Sequence, residues 1–200
     1  MSEIAERAGV LVLHAWWGLN DDVRARAEAL RREGYAVIAP DMYEGRVATT
    51  REQAKAFAGK LDEGRTTTLL EAALADLGGA AARVGIVGWS MGAFSGAQLA
   101  QSHARAVAAF VGYYGGVDAF DAAKPMPPVL AQYAETDEFE SLDGARQAER
   151  DLVAAGRDAK LHVYPGTKHW FDEPSRPEFD KAASALAWDR TLAFLRDRLR

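Results

Sequence analysis

Apolar residues occur along this chain in two rhythms, and the alternation between them outlines the fold. Short unbroken runs suit strands buried on both faces: Val10–His14 (VLVLH), Tyr35–Ala39, Val84–Val87, Ala106–Tyr113, Val129–Ala134 and Lys160–Tyr164. The intervening stretches carry apolar residues at helical spacing. Val23, Ala27 and Leu30 share one face of a helix capped by Asp21 or Asp22 and ended by Gly34. Further helices are predicted over Arg51–Asp62, over Thr66–Leu77 (Leu69, Leu70, Ala73, Leu74 and Leu77 inward, closed by Gly78 and Gly79), and over Met91–Ala100. Two more follow, Asp143–Ala155 ended by Gly156, and Pro177–Leu199 with Trp188, Leu192, Leu195 and Leu199 as a core-facing stripe. Pro125, Pro127 and Pro128 mark an irregular connection, and Pro165–His169 a turn. Six strands alternating with helices predict an α/β fold: an open, mostly parallel sheet flanked by helices.

Composition narrows this picture. A chain of 200 residues, 48% hydrophobic, reads as one domain over residues 1–200, large enough to bury a core without staples. The absence of cysteine excludes disulfides, thiolate metal sites and cysteine catalysis. A net charge of -5 with interspersed signs argues against a nucleic-acid partner. MSEIAERAG lacks the apolar core of a signal peptide and no stretch reads as a membrane span, so the expected location is cytoplasmic. No His/Asp/Glu set has metal-ligand spacing, and neither a metal nor a cofactor is expected.

One segment, RVGIVGWSMGAFSGAQLA from Arg83 to Ala100, passes from strand to helix within a few residues, and Gly88-Trp89-Ser90-Met91-Gly92 stands at the change. This is the G-x-S-x-G pattern of a nucleophile elbow, in which a serine sits on a strained turn and side chains two positions before and after it would collide with the neighbouring strand and helix. The turn also aims the N–H of Met91 and the positive end of the helix at a developing oxyanion. A serine nucleophile needs a base, and the base needs an acid to orient it. Ser90, Asp137 and His169 occur in the order serine, acid, histidine, each just after a predicted strand. His14 precedes the serine, His103 lies at the far end of the elbow helix and His162 falls within a strand. Asp137 has Glu135, Glu138 and Glu140 as neighbours, and is preferred because a short carboxylate at the strand exit reaches an imidazole.

VLVLHAWWGLN, GYAVIAPDMYEG, the elbow, VGYYGG, TDEF and YPGTKHWF together cover nearly the whole chain. In these segments the sequence resembles the dienelactone hydrolase family of α/β-hydrolases. The resemblance implies an α/β-hydrolase fold without a large cap domain, acting on a small-molecule ester or lactone, with the N–H of Trp16 joining that of Met91 in the oxyanion hole. The chain departs from the best-known members in three places. Ser90 stands where they use cysteine, Ala15 where they carry a glutamate beside the oxyanion hole, and Glu173 where the alignment expects an arginine for the substrate carboxylate. A serine mechanism does not need the glutamate, and an anion there would oppose the oxyanion. Arg176 is read as solvated.

Trp16, Trp17, Tyr43, Trp89, Tyr114, Trp170 and Phe171 gather near predicted strand ends. Of these, Trp17, Tyr43, Trp89, Tyr114 and Trp170 are expected at the substrate, Trp17 and Trp170 foremost. The sequence thus reads as a serine hydrolase working through an acyl-enzyme. A thioesterase or amidase with the same residues, and a non-catalytic binding protein of the same fold, are the other readings. Substrate and oligomeric state are open.

Overall fold

In the computed structural model, which describes residues 8–200, six strands form one parallel sheet in the order β2-β1-β3-β4-β5-β6. The elements are β1 Gly9–Leu13, α1 Asp21–Arg32, β2 Ala36–Ile38, α2 Arg51–Ala58, α3 Glu63–Ala80, β3 Val84–Trp89 and α4 Met91–Ser102. They continue as β4 Val107–Tyr113, a 3-10 turn Val117–Ala119, β5 Val129–Thr136, α5 Leu142–Ala154, β6 Ala159–Lys168 and α6 Lys181–Leu199. The expected α/β-hydrolase architecture is therefore observed, and no inserted domain covers the carboxyl edge of the sheet among the described residues. The N-terminal stretch read for a signal peptide falls largely outside the described residues. None of the described helices is long and apolar enough to cross a membrane.

The unbroken apolar runs are explained by helices on both faces. Val10 and Val12 pack with Val23, Ala27 and Leu30 of α1 and with Leu192, Leu195 and Leu199 of α6. Leu11 and Leu13, one residue out of phase, face α3 and α4 together with Leu70, Leu74, Leu77, Ala93 and Ala97. Each strand must then be apolar on both sides, so period-two alternation is absent.

Several boundaries differ from expectation for local reasons. Asn20, rather than Asp21 or Asp22, caps α1, its Oδ1 accepting the N–H of Val23 at 3.1 Å. The helix α3 begins earlier, capped by Asp62, and runs through Gly78 and Gly79, while Leu69 on it is exposed. The helix α2 stops at Ala58, and α6 starts only at Lys181, where Asp180 accepts the N–H groups of Ala182 and Ala183. The expected turn at Pro165 is instead a continuation of β6 to Lys168, tolerated because β6 is an edge strand and needs no donor on its open side.

Candidate active site

The elbow is built as its glycines require. Ser90 has φ 50 and ψ -117, a conformation rare for a residue with a side chain. A Cβ at Gly88 would overlap the backbone of Gly92, and one at Gly92 would overlap the carbonyl oxygens of Leu13 and His14, so only glycine lets β3 turn into α4 against β1. The strained turn is fixed by the Ser90 N–H, which donates to the Tyr113 carbonyl at 2.9 Å.

Two separate loops at the carboxyl edge bring their side chains to this turn. His169, just past β6, places Nε2 2.9 Å from Ser90 Oγ and Nδ1 2.7 Å from Asp137 Oδ2. Asp137, just past β5, has its Oδ1 occupied by the N–H groups of Phe139 at 2.8 Å and Glu140 at 3.0 Å. Burial pushes the Asp137 carboxyl up, but the hydrogen bond and charge interaction with His169 and the two N–H groups outweigh it, and its pKa lies below the usual carboxylate range. The other histidines are elsewhere. His14 is buried, its Nδ1–H donating to the Ala15 carbonyl and its Nε2 accepting the Met42 N–H at 3.0 Å, so it ties two loops together. His103 closes α4 and His162 lies on β6.

A cavity of about 260 Å³ opens over Ser90, lined by Trp16, Ala58, Met91, Phe139, Glu140, His169 and Trp170. A larger groove of about 800 Å³ runs between α3 and α4, but neither Ser90 nor His169 borders it, so the reactive groups belong to the smaller cavity. Trp16 and Met91 thus stand together beside the serine, and Ala15 is fully buried next to them.

Of the five aromatic residues expected at the substrate, the structure brings only Trp170 to the cavity wall. Tyr43 is buried behind it, its hydroxyl donating to the Trp16 carbonyl at 3.1 Å and lying 3.6 Å from Met91 Sδ, so it links Trp16 to Met91. Trp17 sits edge-on to Trp170 at 5.0 Å, with the guanidinium of the partly exposed Arg176 4.1 Å over its ring. Tyr114 packs against the His169 ring at 4.7 Å. Trp89, the elbow aromatic, is a core residue, stacked on Tyr113 with its indole N–H donating to Asp172. Aromatics at a strand end face the helices as readily as the ligand, and residue type alone does not distinguish the two.

Sequence reasoning missed Phe139, Glu140 and Ala58 as wall residues. The first two follow Asp137 directly, a signal that was available; Ala58 comes from α2, whose approach nothing local encodes. Also missed was the pair beneath. Asp172 is buried and accepts from Arg26 Nε and Nη2, Ser184 Oγ and Trp89 Nε1. Burial raises its pKa, against the opposing charge of Arg26. Glu173 beside it accepts the Tyr114 hydroxyl at 2.9 Å, leaves Oε2 without a partner, and is pushed up to about 8 by burial.

Comparison with known proteins agrees with this architecture. A sequence profile of the dienelactone hydrolase family matches residues 2–199. The chain is 28% identical to protein usf of Aquifex pyrophilus, covering 96% of this chain and 88% of that one. It is 28% identical to carboxymethylenebutenolidase 1 of Cupriavidus pinatubonensis, covering 93% and 84%. Among solved structures, a dienelactone hydrolase-like promiscuous phosphotriesterase from metagenomic libraries superposes with a TM-score of 0.81 at 22% identity, covering 98% of this chain and 88% of that chain, a likeness of fold.

Proposed function

The chain belongs to the dienelactone hydrolase family and is a carboxylic ester hydrolase, and from that premise we propose that it cleaves small esters or lactones through an acyl-enzyme on Ser90. The observation that carries this reading is the continuous hydrogen-bonded chain from Asp137 through His169 to Ser90 Oγ at the floor of an open cavity. His169 takes the serine proton as Oγ attacks the carbonyl carbon, and Asp137 stabilises the imidazolium and fixes its tautomer. The N–H groups of Met91 and Trp16 receive the oxyanion, that of Met91 reinforced by the start of α4. As the tetrahedral intermediate collapses, His169 gives its proton to the leaving oxygen, then activates the water that releases the acid. A cavity of about 260 Å³ lies at the small end of ligand pockets and favours short acyl groups.

Stoichiometric labelling by a fluorophosphonate probe, read beside turnover of short-chain 4-nitrophenyl esters, tests the reading. Wild type is expected to label and turn over, while Ser90→Ala and His169→Ala do neither. Labelling or full turnover in Ser90→Ala, or an unlabelled wild type that is folded, would overturn it.

A further inference from the structure

Among the described residues, Glu140 is the only carboxylate that borders the cavity containing Ser90 and His169, and no lysine or arginine borders it; Arg51, over the rings of Phe139 and Trp170, is paired with Glu138 and Glu178. Its backbone is anchored by its own N–H, which donates to Asp137 Oδ1, so its place beside the reacting groups is set by the same turn that sets the acid. Its Oε1 lies beside the Gly115 backbone next to the elbow: a Cβ built on Gly115 would lie 3.5 Å from Glu140 Oε1 and 3.3 Å from the Ser90 carbonyl oxygen. The two acidic residues that precede it on the same turn are already matched. Asp137 is bound to His169, and Glu138 to Arg51 at 2.7 Å outside the cavity.

Resting on the hydrolase reading above, we propose that Glu140 selects the substrate by charge, favouring esters that carry an ammonium group or no charge and turning away those that carry a carboxylate. An incoming anion would meet one full negative charge with no compensating cation on the wall, whereas an ammonium group would find an ion-pair partner in a partly desolvated place. The selection depends on pH. Burial, together with Asp118 on the 3-10 turn and Asp137 on its own turn, raises the Glu140 pKa to about 7; Tyr133 on β5 and His169 on the same cavity wall also face it. Below that value the wall is neutral, and above it the charge is present.

The test uses two sets of matched esters, one with the cationic, neutral or anionic group on the acyl part and one with it on the alcohol, each corrected for spontaneous hydrolysis. In wild type, kcat/KM for cation over anion should increase from pH 6 to pH 8 in at least one set. In Glu140→Gln that ratio should fall on the order of tenfold at pH 8 and lose its pH dependence, as expected for one charge removed near a partly solvated site. Glu138→Gln, which alters a neighbouring carboxylate outside the cavity, should leave the ratio as in wild type. A ratio unmoved in Glu140→Gln in both sets would overturn the assignment while neutral-ester turnover and fluorophosphonate labelling upheld the hydrolase. Absence of turnover and labelling in wild type would remove both.

Discussion

Asp137 and Asp172 are both aspartates with buried side chains that accept several hydrogen bonds, yet they do opposite things with their charge. Asp172 faces a permanent cation: the Arg26 guanidinium, Ser184 and Trp89 occupy its oxygens and bind α1, β3 and α6 to one point beneath the site. Asp137 faces two backbone N–H groups and the imidazole of His169, to which the proposed mechanism gives the serine proton. The same residue type thus serves as a closed ion pair in one place and as an open one in the other. The lesson lies in the partner: a guanidinium ties elements together, whereas an imidazole is the partner that the proposed mechanism requires.

Substitutions can separate the two. The largest effect is expected at Asp137. Asp137→Asn presents an NH₂ where His169 needs an acceptor, and kcat should fall about 10⁴-fold, while the urea midpoint changes little. A loss below tenfold would mean that Asp137 merely positions the loop. Asp172→Ala should do the reverse. Leaving Arg26 partly buried without its anion should lower unfolding free energy by about 3–5 kcal/mol, with turnover per folded molecule kept. A selective loss of turnover without destabilisation would place Asp172 in the chemistry and abolish the contrast.

Glu173 sharpens the comparison, because it is a buried carboxyl with neither kind of cation bound to it. Its pKa is raised from 4.5 to about 8 in the folded protein, so the native state holds a proton that the unfolded chain gives up above about pH 4.5. Its contribution is present in full below pH 4.5 and is lost as pH rises to about 8, at roughly 1.4 kcal/mol per pH unit while the two states differ by one proton. Glu173→Gln should remove this slope, so that its melting temperature overtakes wild type between pH 5 and pH 9; parallel curves would refute the assignment. The smallest effect is expected far from the site. Asn20→Ala deletes the α1 cap and should cost about 1 kcal/mol in chemical unfolding with kcat unaltered.

The fold and the meeting of Ser90, Asp137 and His169 were legible in the sequence for a common reason: each rests on a pattern that local physics forces. Runs apolar on both faces can only be strands between two helix layers, and Gly88 and Gly92 are required by contacts within a few residues of Ser90. The order Ser90, Asp137, His169 adds a topological constraint, since the corresponding strands end at one edge. The aromatic wall was poorly legible because Trp89 and Trp170 look alike in sequence, although one feeds the core and the other the cavity. Asp172 and Glu173 were invisible in their true role, since their partners Arg26 and Tyr114 are distant along the chain and their burial comes from α1 and α6. Asn20 was missed by one residue, a matter of which side chain has the extended backbone of a cap.

The final strand of the sheet bears on how the protein behaves in concentrated solution. Among the described residues no strand pairs with the outer side of β6, an edge on which a second chain could extend the sheet, although side chains already hold some of its N–H groups, Glu149 that of Leu161 and Glu135 that of Gly166. Lys160, Pro165 and Lys168 are all exposed along it, and each opposes that extension, the lysines by charge repulsion between copies and the proline by interrupting the run of donors. His169 hangs from the end of this same strand, so resistance to aggregation and the placement of His169 against Ser90 depend on the same stretch of backbone.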